Sequence, residues 1–507
     1  MTDPPPGPGS IRALRDAVLE GREPPPLQAV ARLPSYRWFV VGTVCIGAFM
    51  GQVDASMTQM LLPRLERDFA APLSTVSWVA VAYILTMASF MPIFGRLADM
   101  IGRKLLYTGA FVVFVIGSAL CGFAPDLPTL IAFRILQGIG AALLTANSIA
   151  IVVLAAGPGE RGRALGLQSA AQAIGLGAGP AVGGLILDTL GWHWAFWINV
   201  PFGLAGAVLG WLVLPQTRHL HGGGRFDWAG ALLIAPALTA VIAVLNQGHA
   251  WGWTSPAFIG CVAAAIVFLA LFVRAERRAA SPLIDFVLLR QGSFLTGNLA
   301  NFLSYAMLFG VFFLVPFFLV RVYQDSELVA GLRLSIIPVM LGLLAPIGGM
   351  LYDRFGARAA TASGMAICVA GLAVLYVFLD GSAAHMPLVM LGLAIFGVGQ
   401  GLFISPNSSS IMATAPEELT GEAGSLLNLV RFLGISAGIA GASTLLALGI
   451  DAATGRGGST MGASGEVLVA ASRTVIVMLC CFGVVAAGLS LLRTVPHKAR
   501  DVQAVEP

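Results

Sequence analysis

The sequence predicts an all-α polytopic membrane protein of fourteen transmembrane helices, and three observations carry that prediction. Charged residues make up 11% of the 507-residue chain and apolar residues 57%, against about 25% charged in ordinary soluble proteins. The apolar residues fall in separate blocks of roughly 20 residues, the length that crosses a bilayer as helix, and helix satisfies every backbone amide without water. A glycine-bounded charged stretch, Gly95-Arg96-Leu97-Ala98-Asp99-Met100-Ile101-Gly102-Arg103-Lys104, separates two such blocks. It returns in weaker form as Gly349-Met350-Leu351-Tyr352-Asp353-Arg354-Phe355-Gly356-Ala357-Arg358, which implies two homologous halves that move against each other, as in a secondary transporter.

Taken in order, residues 1–36 are rich in Pro, Arg and Glu and lack an early apolar core. They read as a disordered cytoplasmic tail rather than a cleaved signal. Six spans follow at 38–62, 75–97, 105–123, 128–155, 163–188 and 194–214, forming an N-terminal bundle over 37–214. Spans 7 and 8, at 227–246 and 254–275, are joined by the turn His249-Ala250-Trp251-Gly252-Trp253 and lie in an inserted segment, 215–292. Spans 9 to 14, at 293–320, 327–351, 357–378, 387–412, 419–448 and 470–492, form the C-terminal bundle over 293–492, and 493–507 is a second short tail.

An even number of spans places both termini on one side. Twenty-one basic residues fall on that side and five on the other, with Arg134, Arg333 and Arg431 inside spans. The positive-inside rule makes that side cytoplasmic, and a basic set in which only Lys104 and Lys498 are lysines hints at a bacterial source, hence an inner (plasma) membrane. The net charge of +4 is weak evidence for a nucleic-acid partner, and none is expected. The six cysteines sit in apolar runs without ligand spacing and read as small filler rather than a metal site. No nucleophile–base pair, metal cluster or Gly-x-x-x-x-Gly-Lys-Ser/Thr loop appears, so the expectation is a protein without enzyme activity, cofactor or ATP site.

Five motifs agree in order and spacing with one family. The Gly95–Lys104 loop follows span 2, and Arg134-Ile135-Leu136-Gln137-Gly138-Ile139-Gly140 falls in span 4. Gly175-x-x-x-Gly179-Pro180-x-x-Gly183-Gly184 falls in span 5 and Val53-Asp54-Ala55-Ser56 through Pro63 in span 1. The fifth runs from Trp192-His193-Trp194 to Asn199-Val200-Pro201-Phe202-Gly203. In these the chain resembles the major facilitator superfamily, specifically its fourteen-span branch of drug:proton antiporters, over about residues 38–492. The resemblance implies two six-helix bundles around a central cavity, two extra helices inserted between them, and alternating access. Ser56, Gln59 and the span-10 charge Arg333 depart from the branch pattern and bear on the substrate class.

Asp54 lies well inside span 1, and an intramembrane acid is a functional site by default. Burial raises a carboxyl pKa and a nearby arginine lowers it, so a group balanced between the two can take a proton from one side and release it to the other. A static ion pair that holds helices together is the other reading. Arg134 is the natural partner, because the resemblance implies that the span-4 arginine faces the cavity near span 1; a bond to backbone carbonyls is its alternative. Gly95, Asp99, Gly102, Arg103 and Lys104, with Asp353, Arg354 and Arg358 in the second half, read as a gating loop or as topology signals. Gly175, Gly179, Pro180, Gly183 and Gly184 read as a pivot sealing proton leakage or as ordinary small-residue packing.

Trp78, Tyr83, Gln137, Asn298, Asn301 and Tyr305 are the candidate substrate contacts, since mixed aromatic and amide groups suit amphipathic ligands. With Asp54 the only deep acid, neutral, zwitterionic or monocationic amphiphiles are expected over dications. The expected activity is proton-coupled export of amphipathic small molecules, whose partners are the substrate, protons, the bilayer and, undetermined by these loops, a periplasmic adaptor. Export of a lipid or cell-envelope metabolite is the alternative. Nutrient import by the same fold is disfavoured by the span-5 motif, and a non-transporting scaffold by charge motifs in both halves.

Overall fold

The computed structural model describes Glu23 and residues 25–493, except 158, 218–226, 253, 280–285, 417–418 and 456–457. Thirteen described helices are long and apolar enough to cross a membrane. One of them, Glu327–Phe378, spans 52 residues and is broken at Gly356, whose φ of 80° and ψ of 171° are not helical. It therefore makes two crossings, spans 10 and 11, and the count of fourteen is reached. Gly102, with φ 115°, makes the matching break between spans 2 and 3. The two halves of the repeated motif thus turn the chain at the same glycine, because an L side chain rarely adopts that φ.

Helix starts follow side-chain chemistry. Asp126 accepts the Thr129 amide at the start of span 4, Leu127–Ala156, and Ser255 accepts that of Phe258 at the start of span 8, Pro256–Glu276. Ser326 and Ser464 do the same before spans 10 and 14, and each cap satisfies an orphan amide. Span 1, Tyr36–Phe69, runs several residues beyond the predicted end at 62 and stops at Ala70 in left-handed conformation. Arg64 and Arg67 consequently belong to a helix and not to a loop.

Burial sorts the spans. Spans 9, Gly292–Arg321, and 2, Leu73–Ala98, are 89% and 83% buried over their most apolar windows, whereas span 8 is 11% buried. Of the inserted pair, Trp228–Gly248 and Pro256–Glu276, the second therefore lies at the periphery, while span 7 is 33% buried. Span 7 is tied to both halves: Asn246 donates to the Ser77 hydroxyl at 3.0 Å, and Thr444 donates to the Leu245 carbonyl at 3.0 Å.

The predicted N-terminal tail is shorter than 1–36. Gln28–Ala31 is helical, the Leu27 amide donates to the Leu212 carbonyl at 2.8 Å, and Glu23 is buried. The Glu23 carboxylate accepts the Lys104 amide at 3.1 Å, the Thr217 amide at 2.5 Å and the Thr217 hydroxyl at 2.9 Å. An acid at the first turn of span 3, Arg103–Gly122, is favoured by its free amides and dipole, which a composition-based reading of the tail does not register. In the second tail Arg493 is buried, and 494–507 lie outside the described residues.

Candidate functional site

Asp54 and Arg134 meet. Span 1 carries Asp54 and span 4 carries Arg134; both side chains are fully buried and Arg134 Nη1 donates to Asp54 Oδ2 at 2.6 Å. The remaining carboxylate oxygen, Oδ1, accepts Gln137 Nε2 at 2.9 Å and Asn199 Nδ2 at 3.2 Å. Arg134 also donates from Nε to the Val79 carbonyl at 2.9 Å and from Nη1 to Gln137 Oε1 at 2.6 Å. Its guanidinium lies 4.1 Å from the centre of the Tyr83 ring. Ser118 accepts from Gln137 and Asn199 and donates to the Phe196 carbonyl at 2.7 Å. Arg134 Nη2 and the Tyr83 hydroxyl are buried without a hydrogen-bond partner among the described residues, so the network has donors to spare if the carboxylate shifts.

A charge pair removed from water persists only when its remaining lone pairs and protons are bonded. Here both Asp54 oxygens and the Nε and Nη1 of Arg134 are bonded, by groups from spans 1, 2, 4 and 6, and Arg134 Nη2 alone of the pair is left over among the described residues. Asn199 and Ser118 carry no role in the sequence reading; a buried amide and a hydroxyl inside apolar runs are common, and only packing brings them onto Asp54.

A cavity of about 200 Å³ lies between the halves. Span 1 contributes Gly51, Gln52 and Ala55, span 5 contributes Gln172, span 9 Phe309, and span 13 Asn428, Arg431 and Phe432. Asp54 and Arg134 are not among its lining residues. Nor are Trp78, Tyr83, Gln137, Asn298, Asn301 or Tyr305. Tyr83 and Gln137 instead belong to the Asp54 network. Asn298 bonds its own helix at the Phe294 carbonyl, and Asn301 donates to the Leu427 carbonyl. Tyr305 lies with its ring centre 4.8 Å from the Arg431 guanidinium. The cavity is smaller than the roughly 300–1,000 Å³ of drug-sized sites, so a substrate of that size requires the halves to part further.

Span 1 runs from the cavity past Asp54 to an end where the halves are joined. There Glu66, wholly buried, accepts the Thr460 amide at 2.7 Å, the Ser459 hydroxyl at 2.9 Å and the Thr460 hydroxyl. Arg321 Nη2 stands 3.5 Å from Glu66 and donates to the Pro63 carbonyl at 2.9 Å. Asp188, at the end of span 5, accepts the Glu327 and Leu328 amides at 3.1 and 3.0 Å, capping the first turn of span 10 in the other half. Asp188 is itself exposed.

The span-5 glycines make the close approach their spacing implies. A Cβ on Gly175 would stand 2.6 Å from the Phe49 carbonyl, and one on Gly183 2.7 Å from Met57 Cγ, both on span 1. Gly179 faces Ser56, and Gly184 faces the Glu327 carbonyl of span 10. Pro180 lies inside the helix, with its own carbonyl against Gly331 of span 10.

At the opposite end, the side chain of Asp99 lies outside the described residues. The Arg103 amide donates to Thr217 at 2.7 Å and the Lys104 amide to Glu23, while Gly95 has open space at its α-carbon. Arg354 lies over the Phe355 ring, Asp353 is exposed, and Arg358 donates to the Arg493 carbonyl at 2.7 Å. Burial pulls the pKa of Arg493 down to about 10, and nearby Tyr352 opposes that shift. Among the described residues, these contacts of Lys104, Arg354 and Arg358 stay within their own halves.

The Major Facilitator Superfamily sequence model matches residues 44–243 and 226–439. The chain belongs to the Major Facilitator Superfamily. It is a multi-pass membrane transporter. This facilitator-superfamily chain is 36% identical over 416 residues to the riboflavin transporter RibZ of Clostridioides difficile (strain 630), covering 81% of this chain and 88% of that protein. It is 32% identical over 408 residues to the multidrug resistance protein Stp of Mycobacterium tuberculosis (strain ATCC 25618 / H37Rv), covering 80% and 75%. It is 29% identical over 410 residues to the tetracenomycin C resistance and export protein of Streptomyces glaucescens, covering 81% and 76%. Its fold is shared with a bacterial homologue of the human lysosomal transporter Spinster, solved inward-facing and unoccupied, at a TM-score of 0.64 and 15% identity over 91% of this chain and 97% of that one.

Proposed function

We propose that this facilitator is a proton-coupled exporter of amphipathic small molecules in a bacterial inner membrane, with both termini cytoplasmic. The observation that carries the proposal is the isolated carboxylate. Asp54 is fully buried, paired with an arginine that stays protonated, and is not among the residues lining the cavity. In this orientation the cavity belongs to the cytoplasmic half and the Glu66–Thr460 and Asp188–Glu327 contacts close the outer end.

The residues then divide the work. Asp54 holds the proton when the outer end is open, and its loss of charge frees Arg134 from the carboxylate, while the Val79 carbonyl and the Tyr83 ring keep the guanidinium in place. Closure of the outer end re-forms the ion pair, releasing the proton inward. Span 5, packed on spans 1 and 10 through its glycines, transmits the movement between halves. Two relatives named for multidrug resistance and for tetracenomycin C export support efflux.

A second reading is transport of a flat, acceptor-rich molecule, as the name of the Clostridioides difficile relative states for riboflavin. The Gln52, Gln172 and Asn428 amides beside Phe309 and Phe432 favour it. The test is uptake of riboflavin and of a fluorescent monocation into inverted vesicles under an imposed proton gradient, for wild type and Asp54→Asn. Gradient-driven accumulation of either compound that disappears in Asp54→Asn is the expected result. Accumulation insensitive to the gradient, or surviving in the variant, would remove proton coupling through Asp54.

A further inference from the structure

We infer that Arg431 is a recognition site for an anionic group, so that the central cavity selects planar aromatic compounds bearing a single oxyanion. The inference rests on the reading of that cavity as the transport site. Three arginines lie in or beside the spans according to the sequence, and two of them have acids. Arg134 is paired with Asp54 at 2.6 Å and Arg333 with Asp325 at 2.5 Å. Arg431 has neither a carboxylate nor a hydrogen-bond partner among the described residues, and its Nε is buried. It is also the only charged side chain among the residues lining the cavity.

A guanidinium in a membrane protein interior is costly unless its donors are satisfied. Here two aromatic rings stand beside it: the Tyr305 ring centre is 4.8 Å from the guanidinium carbon and that of Phe432 5.7 Å. Cation–π contact orients the group but accepts none of its N–H bonds in the cavity. The planar fork is thus held ready for a carboxylate-like acceptor, the geometry that arginine binds best. Phe309 and the Asn428 and Gln172 amides complete a surface suited to a flat ring. A cation finds no counter-charge here, since Asp54 is saturated by Arg134, Gln137 and Asn199 and lies outside the cavity. The preference is therefore opposite in sign to the one that the lone span acid suggests.

The experiment measures binding of radiolabelled 1-naphthylacetate to the detergent-solubilised full chain by scintillation proximity. Unlabelled acid, its methyl ester and (1-naphthylmethyl)trimethylammonium serve as competitors. The acid is expected to compete about tenfold or more better than the ester, the difference between a charge-assisted and a neutral acceptor. Arg431→Gln should abolish acid binding above the ester level while keeping a monodisperse chromatographic profile. Arg431→Lys should restore part of the preference. Equal competition by acid and ester, tighter binding of the cation, no binding of the acid, or an undiminished acid preference in a monodisperse Arg431→Gln would each overturn the inference. The vesicle assay with Asp54→Asn fails independently: loss of proton coupling leaves the acid preference standing, and loss of the preference leaves coupling standing.

Discussion

Glu66→Gln tests whether the end of the bundle beyond Asp54 is held shut by one carboxylate. Glu66 belongs to the first half, and its partners Ser459, Thr460 and Arg321 belong to the second, so every bond it makes crosses between halves. Hydrogen bonds to a charged group contribute about 1.5–3 kcal/mol each. Glutamine keeps one acceptor oxygen and loses the charge and the second oxygen, so the closed state loses about 2–4 kcal/mol. At 1.4 kcal/mol per tenfold, opening at this end becomes roughly 30- to 700-fold more frequent. The assay is hydrogen–deuterium exchange by mass spectrometry on the full chain, following the peptide that contains the Thr460 amide, which donates to Glu66 at 2.7 Å. Its exchange should accelerate by that factor. The Glu327 and Leu328 amides, capped by Asp188 at the same end, should follow more weakly. Peptides from the peripheral span 8 should not change. Acceleration below about threefold at Thr460, or equal acceleration throughout the chain, would refute the latch.

Three further outcomes are expected. Gly102→Ala places a side chain at φ 115° and against the Glu23 carboxylate, which costs about 1–3 kcal/mol; an unchanged thermal unfolding midpoint would count against the turn. Gly175→Leu drives a side chain into the Phe49 carbonyl and should cost about 3 kcal/mol or more, whereas Ile174→Leu, 63% exposed on the same helix, should stay within about 0.5 kcal/mol. Comparable losses of folded protein in the two would contradict the packing face. A double-mutant cycle on Asp325 and Arg333, whose side chains are 11% and 27% exposed, should return a coupling of about 1 kcal/mol or less; a coupling above about 3 kcal/mol would mean that this pair is a second latch.

The candidate site was legible in unequal parts. Asp54 and Arg134 stand out because charges are rare in apolar spans, and the resemblance placed them on facing helices. The structure brings the two side chains to 2.6 Å, and their role in proton coupling is the proposal made above. Gln137, three residues from Arg134, was expected at the substrate and is bonded to Asp54 instead. A polar residue on a buried helix face is visible in sequence, but the neighbour it meets depends on helix rotation. Asn199 reaches Asp54 across 145 residues, and Glu66 reaches Thr460 across 394; no local pattern encodes such pairings.

By itself the sequence determined the class of the protein, the number of crossings and the repeated turn at Gly102 and Gly356. Those features follow from hydropathy, helix length and the backbone freedom of glycine, all of which act over a few tens of residues at most. Only the tertiary structure decided which arginine has an acid and which does not, that Asp188 caps a helix of the other half, and that Glu23 belongs to the fold. Such facts arise where helices distant in the chain are brought within about 3 Å, the range over which a hydrogen bond selects its partner.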